Sequence, residues 1–256
     1  MRTNTLLQYF AASILALGAT LSHAGTGSLE EPHKIDSSQD ALNMKNVILI
    51  GANGHTSKEI IPRLLAQKDV KLTLFLRRAS RMQDMQSDRA AVVEGDASNL
   101  TDLTRAISGQ EIVISTMGGS DLAQKTDNIL QAMKAVGARH FIVTSAGGIY
   151  DELPEPFNSW DKRRVGDDRE INLKVAEETE RSGLTYTVLR PVWLTNSTTD
   201  VYELTQKGET FKGTETSRAS LARLVADIVS NPARFANQNL GVSQPNTDGD
   251  RPAAYR

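Results

Sequence analysis

The segment Asn46–Ile60, NVILIGANGHTSKEI, constrains the chain more than any other. A short apolar run, Val47–Ile50, leads straight into a turn containing Gly51 and Gly54. Helical periodicity then begins, with Ile60, Ile61, Leu64 and Leu65 on one face. A strand apolar on both faces, a glycine turn and a helix, in that order, open a parallel sheet covered by helices. The small residues fall at Gly51, Gly54 and Ser57, a G-x-x-G-x-x-S spacing. Gly51 permits the tight turn, Gly54 lets backbone N–H groups approach a pyrophosphate, and the third position must be small for close helix–strand packing. Serine meets that last need less well than glycine but does not block it. The helix N-terminus adds free N–H donors and a partial positive charge. The pattern also fits a purely structural turn, but its place between strand and helix favours a dinucleotide phosphate site. Gly51, Asn53, Gly54, His55 and Thr56 are its candidate residues.

The same alternation continues downstream. Apolar runs recur at Leu72–Leu76, Ala91–Val93, Ile112–Ser115, Phe141–Thr144 and Thr185–Leu189. Between and after them, Leu122, Ile129, Leu130, Met133 and Val136 share a helical face, as do Leu221, Leu224, Val225 and Ile228. This predicts an α/β fold: a doubly wound parallel sheet, the Rossmann arrangement, in one domain over residues 45–256. At 39% hydrophobic and 23% charged residues, the chain carries enough apolar material for one such core. Pro62 predicts a kink in the first helix. Tyr150–Gly166, rich in proline and polar residues, is expected to be a loop, with Trp160 and Trp193 supplying apolar wall.

The second strand ends in LTLFLRRASR. NAD-selective sites carry an acidic residue about 20 residues past the glycines, where it binds the ribose hydroxyls. Here Arg77 and Arg78 hold that region, with Arg81 beyond. Guanidinium groups take phosphate oxygens in paired, charge-assisted hydrogen bonds, so the pattern predicts the 2′-phosphate of NADP(H). The competing reading is that these arginines are simply exposed. Asp96, in VVEGDASNL, is positioned to accept from an adenine amino group; alternatively, Asp96 or Ser98 caps a helix. Met117 and Gly118, in ISTMGGSD, close the fourth strand and allow backbone approach to the cofactor.

Charge and cysteine content narrow the rest. The net charge is −2, and the one basic cluster, Lys162-Arg163-Arg164, is flanked by Asp161, Asp167 and Asp168. No nucleic-acid or membrane-surface footprint is expected, only a small-molecule substrate. There are no cysteines, and the four histidines lack metal-ligand spacing, so no metal site is expected. Arg2, an apolar stretch and the small-residue end Ser22-His23-Ala24 describe a signal peptide over 1–24, followed by a flexible linker over 25–44. This predicts an exported protein with no membrane span in its mature form. If translation starts at Met44, the alternative is a cytoplasmic one.

The ordered motifs MKNVILIGANG, FLRRASR, VEGDASNL, VTSAGGIYDE and LRPVWLT resemble the atypical short-chain dehydrogenase/reductases. Within them the chain is similar to the NmrA-like NAD(P)H-binding subgroup. The resemblance runs from Lys45 to the C-terminus and implies a nicotinamide near the ends of the fourth to sixth strands. On that basis Ser145 takes the place of the active-site serine, and Pro191 and Val192 line the nicotinamide pocket. The departure is the Tyr-x-x-x-Lys pair, in which a lysine one turn away lowers the pKa of a tyrosine acid. In DDREINLKVAEE, Lys174 fits the lysine, as ribose ligand or as an exposed side chain, but Glu170 stands where tyrosine is expected. Tyr150 is the nearest substitute donor. An NADP(H)-dependent reductase of a small carbonyl or quinone-like acceptor is therefore expected, with a cofactor-binding sensor as the alternative.

Overall fold

The computed structural model describes residues 44–256; the expected signal peptide and all but the last residue of the linker lie outside them. Six strands correspond to the apolar runs: β1 (Lys45–Ile50), β2 (Val70–Leu76), β3 (Ala90–Glu94), β4 (Ile112–Ser115), β5 (His140–Thr144) and β6 (Thr185–Pro191). The helices among the described residues are α1 (His55–Leu65), α2 (Leu100–Ile107), α3 (Leu122–Val136), α4 (Phe157–Val165), α5 (Asp168–Arg181) and α6 (Arg218–Ser230). Four strands come late in the chain: β7 (Trp193–Thr195), β8 (Glu203–Thr205), β9 (Glu215–Ser217) and β10 (Gln238–Ser243).

The main sheet runs in the order β3-β2-β1-β4-β5-β6-β10-β8, parallel throughout except for the antiparallel edge strand β8. The short strands β7 and β9 form a separate parallel pair. Strand side chains alternate between faces, and both faces are covered. Val47 and Leu49 point into one core, packed by Ile60, Ile61 and Leu64 of α1 and by Leu221, Leu224 and Val225 of α6. Ile48 and Ile50 point into the other, with Leu103 of α2, Ile129 and Met133 of α3 and Val175 of α5. Burial on both sides is why these strands are continuous apolar runs rather than alternating ones.

Three local expectations are revised. The helix α1 runs through Pro62, which is exposed, and hydrogen bonding resumes at once as Ala66 N–H donates to the Pro62 carbonyl (3.0 Å). The stretch read as a loop contains α4: Pro156 sits at its N-cap, where a missing N–H costs nothing, and no proline or glycine follows until Gly166. Asn99, rather than Asp96 or Ser98, caps α2, its side chain accepting from the Thr101 and Asp102 N–H groups.

Candidate functional site

An open cavity of about 560 Å³ lies at the C-terminal ends of β1 to β4. This is where the strand order reverses, the position at which doubly wound sheets bind ligands. Its walls come from four successive strand ends: Gly51, Asn53 and Gly54 after β1; Arg77, Arg78 and Arg81 after β2; Gly95, Asp96 and Ala97 after β3; Thr116, Met117 and Gly118 after β4. Lys125 of α3 completes the lining.

The turn after β1 is built for close approach. Gly51 has φ +80°, and a Cβ there would lie 2.8 Å from Cγ of Met117, so no other residue fits without displacement. Gly54 is the N-cap of α1, and no side chain accepts from the first-turn amides. The first turn carries no acidic side chain either, leaving its N–H groups and partial positive charge for an anion. His55 and Thr56 open this helix, His55 exposed and Thr56 buried.

Ser57 explains how the third small position is filled without glycine. It is fully buried; its hydroxyl donates to the Gly51 carbonyl (3.0 Å) and lies 2.9 Å from the Thr116 hydroxyl. The serine thus ties the turn to the end of β4. Ser57→Ala strands a carbonyl and a hydroxyl and is expected to cost about 1–2 kcal/mol. Urea denaturation checks this, and an unchanged midpoint would show that the tie contributes nothing.

The basic wall is held from below. Ala79 N–H donates to the Glu94 carboxylate (2.9 Å), fixing the loop that carries Arg77, Arg78 and Arg81. All three arginines are exposed along the cavity. Asp96 faces the same space while accepting from Ser98 N–H (2.9 Å). Asn128 of α3 donates to the Ala97 and Ser98 carbonyls (3.3 and 3.1 Å), which locks α3 against this loop.

The remaining candidates do not line the cavity. Ser145 follows β5, nearly buried, its hydroxyl donating to the Asn172 carbonyl of α5 (2.8 Å). Pro191 and Val192 end β6 and are buried. Lys174 lies on the outer side of α5, its side chain 63% exposed and its Nζ 3.6 Å from Glu178. Helical geometry decides this: Val175, Ala176 and Thr179 take the buried face, which turns position 174, like Glu170, outward. Tyr150 accepts a hydrogen bond at its hydroxyl from Asn239 Nδ2 (3.0 Å), and its ring lies against Arg190 and Lys207. The structure therefore does not gather Ser145, Tyr150 and Lys174 into one constellation.

Several polar residues near these loops were not legible as a site. Arg190 of β6 is fully buried between the Tyr150 and Phe211 rings, 5.2 and 5.4 Å from their centroids. It pairs with Glu152, whose carboxylate also accepts from the Gly148 and Tyr150 N–H groups. The arginine inside TVLRPV is the available signal, since a charge in a doubly covered strand requires a partner. Asp161 of α4 is buried against Trp193, whose indole N–H donates to it (2.8 Å), with Arg169 Nε at 3.3 Å. Burial pushes its carboxyl above the ordinary range, opposed by the Trp193 hydrogen bond and the Arg169 charge. Trp160 and Trp193 pack on each other and on Tyr255 at 5.0–5.3 Å, so these rings contact one another as a cluster.

The comparisons agree with this geometry. A family model described as NAD(P)H-binding matches residues 51–232, more than half of the chain. The chain belongs to this NAD(P)H-binding family. Among solved structures it is similar to a Rossmann-fold NAD(P)-binding family protein from Shigella flexneri, at 34% identity and TM-score 0.71, covering 82% of this chain and 98% of that one. It is also similar to a short-chain dehydrogenase/reductase from Veillonella parvula in complex with NADP, at 25% identity and TM-score 0.76, covering 82% and 99%. A phenylcoumaran benzylic ether reductase from Ginkgo biloba is 26% identical over 119 residues, 43% of this chain and 39% of that protein. This NAD(P)H-binding chain spans about half the length, or less, of the curated relatives it matches. It is an atypical short-chain dehydrogenase/reductase-type Rossmann protein. The cavity fits such a ligand in kind: a glycine floor, uncapped helix amides and cations around an opening of small-molecule size.

Proposed function

We propose that this protein is an NADP(H)-dependent reductase of a small carbonyl or quinone-like acceptor, of the NmrA-like type. The observation that carries the NADP(H) preference is the trio Arg77, Arg78 and Arg81 on the cavity wall after β2, where NAD-selective sites place a carboxylate. In this reading Gly51, Asn53, Gly54, His55 and Thr56 hold the pyrophosphate, Asp96 the adenine, and Met117 and Gly118 the central part of the ligand. Pro191 and Val192 wall the nicotinamide. When bound, the cofactor supplies the hydride. Ser145 polarises the acceptor after its proton leaves the Asn172 carbonyl, and a proton arrives from solvent or from Tyr150, whose hydroxyl accepts from Asn239 and keeps its own proton to give.

The wild type should quench or enhance NADPH fluorescence at lower concentration than it does NADH. Arg77→Asp should weaken NADPH binding roughly 100-fold, the worth of a charge-assisted pair lost and a repulsion gained, and change NADH binding only slightly. Equal losses for both nucleotides would refute the assignment.

A second reading is a nucleotide-binding protein without turnover. The outward-facing Lys174 favours it. NADPH absorbance followed with a panel of quinones and carbonyls separates the two: oxidation supports the reductase, and tight binding without oxidation supports the sensor.

A further inference from the structure

Lys125 and Asp121 form a pair unlike the other one-turn ion pairs of the helices. Nζ of Lys125 lies 2.6 Å from Asp121, and the lysine side chain is only 14% exposed, covered against the cavity it lines. By contrast, the cations of the Arg181–Glu177 and Lys174–Glu178 pairs are 71% and 63% exposed on an outer helix face. Asp121 is also unusual in its own right. It occupies the N-cap of α3, where an aspartate ordinarily accepts from first-turn amides, yet its side chain makes no capping bond. The carboxylate is turned to Lys125 instead; the Lys125 hydrogen bond and charge, with a smaller contribution from the Arg77 charge, hold the Asp121 carboxyl below its usual range. A carboxylate thus already holds the one lysine that α3 brings to the lining of the cavity.

We propose that Asp121 is a built-in placeholder for the 2′-phosphate of NADP(H), and that Lys125, freed when the phosphate arrives, becomes its ligand from α3. This rests on the NADP(H) reading above. A phosphate monoester carries more charge and more acceptor oxygens than a carboxylate, so it competes successfully for Lys125 and Arg77. Asp121, half exposed, then turns to solvent or to the uncapped amides of α3. The exchange keeps Lys125 paired in the absence of ligand and makes binding depend on the extra phosphate.

Calorimetric titration of the purified protein with 2′,5′-ADP and with 5′-AMP tests this, because the two differ only in the phosphate concerned. Asp121→Asn should tighten 2′,5′-ADP roughly three- to tenfold, and Lys125→Met should weaken it roughly tenfold. Neither should move 5′-AMP by more than about twofold. Asp121→Asn makes no change to a capping bond, and a circular-dichroism melt confirms that α3 is intact. Weaker or unchanged 2′,5′-ADP binding by Asp121→Asn overturns the placeholder, as does unchanged binding by Lys125→Met. Those results with a wild type that still prefers 2′,5′-ADP leave the NADP(H) reading standing. A wild type binding both nucleotides equally overturns the NADP(H) reading and the placeholder together.

Discussion

Replacing Glu152 by alanine is expected to destabilise the fold by about 3–5 kcal/mol, the cost of leaving a buried charge without its partner. Arg190 is fully buried, and Glu152 is its only carboxylate partner among the described residues. Its Nε donates to Asn239 Oδ1 (2.6 Å), its Nη2 finds no hydrogen-bond acceptor among the described residues, and its Cζ lies over the Tyr150 and Phe211 rings. Removing Glu152 also strands the Gly148 and Tyr150 N–H groups, and with them the loop that follows Ser145. Glu152→Gln keeps an acceptor for those amides but not the charge, and should cost less. Combining Glu152→Gln with Arg190→Met removes the orphaned cation and should recover part of the loss, since neutralising both members of a buried pair is far cheaper than removing one. Equilibrium unfolding in urea measures all three. A loss below about 1 kcal/mol for Glu152→Ala would show that Arg190 is solvated or re-paired.

Acid should unfold the protein partly through His140. This residue begins β5, is 5% exposed, and lies 2.8 Å by Nε2 from the Thr187 hydroxyl. That hydroxyl donates to the Phe235 carbonyl (2.8 Å), so it accepts from Nε2–H, which places the proton of the neutral imidazole on Nε2. Burial lowers its pKa from 6.5 to about 4. Between these values the unfolded chain binds a proton that the folded chain refuses, so lowering the pH draws the equilibrium toward unfolding. The contribution is fully present above pH 6.5 and is lost as the pH falls toward 4, amounting to about 3 kcal/mol. His140→Gln keeps a donor for Thr187 and removes the titration. The stability difference between wild type and variant should therefore narrow or reverse on acidification from pH 7 to 4. Parallel curves for the two proteins would sink the assignment.

The fold was legible where burial is two-sided and continuous. Val47–Ile50 and Ile112–Ser115 contact helices on both faces, so their sequences contain nothing but apolar residues and one serine. The strand β10 was invisible for a related reason. Asn239 turns into the Arg190 cluster, and Gly241 makes room for Thr205 and the Phe211 ring, so its apolar pattern is broken by packing needs set elsewhere in the chain. The helix α4 was hidden by composition, because Lys162, Arg163 and Arg164 crowd its last turn and the prolines precede it.

The candidate site divides along the same line. The sequence alone determined the glycine turn after β1, the arginines after β2 and the alternation of strands and helices that carries them. These are local consequences of backbone sterics, small-residue spacing and charge, readable within a few positions of one another. The tertiary structure alone decided that Lys125 lines the same cavity as the arginines, that Ser57 is fastened to Thr116, and that Arg190 is paired with Glu152. It also decided that Lys174 faces outward. Each of these depends on which helix face meets the sheet and which distant loop covers a strand end. Such contacts are made between residues far apart in the chain, and no local pattern encodes them.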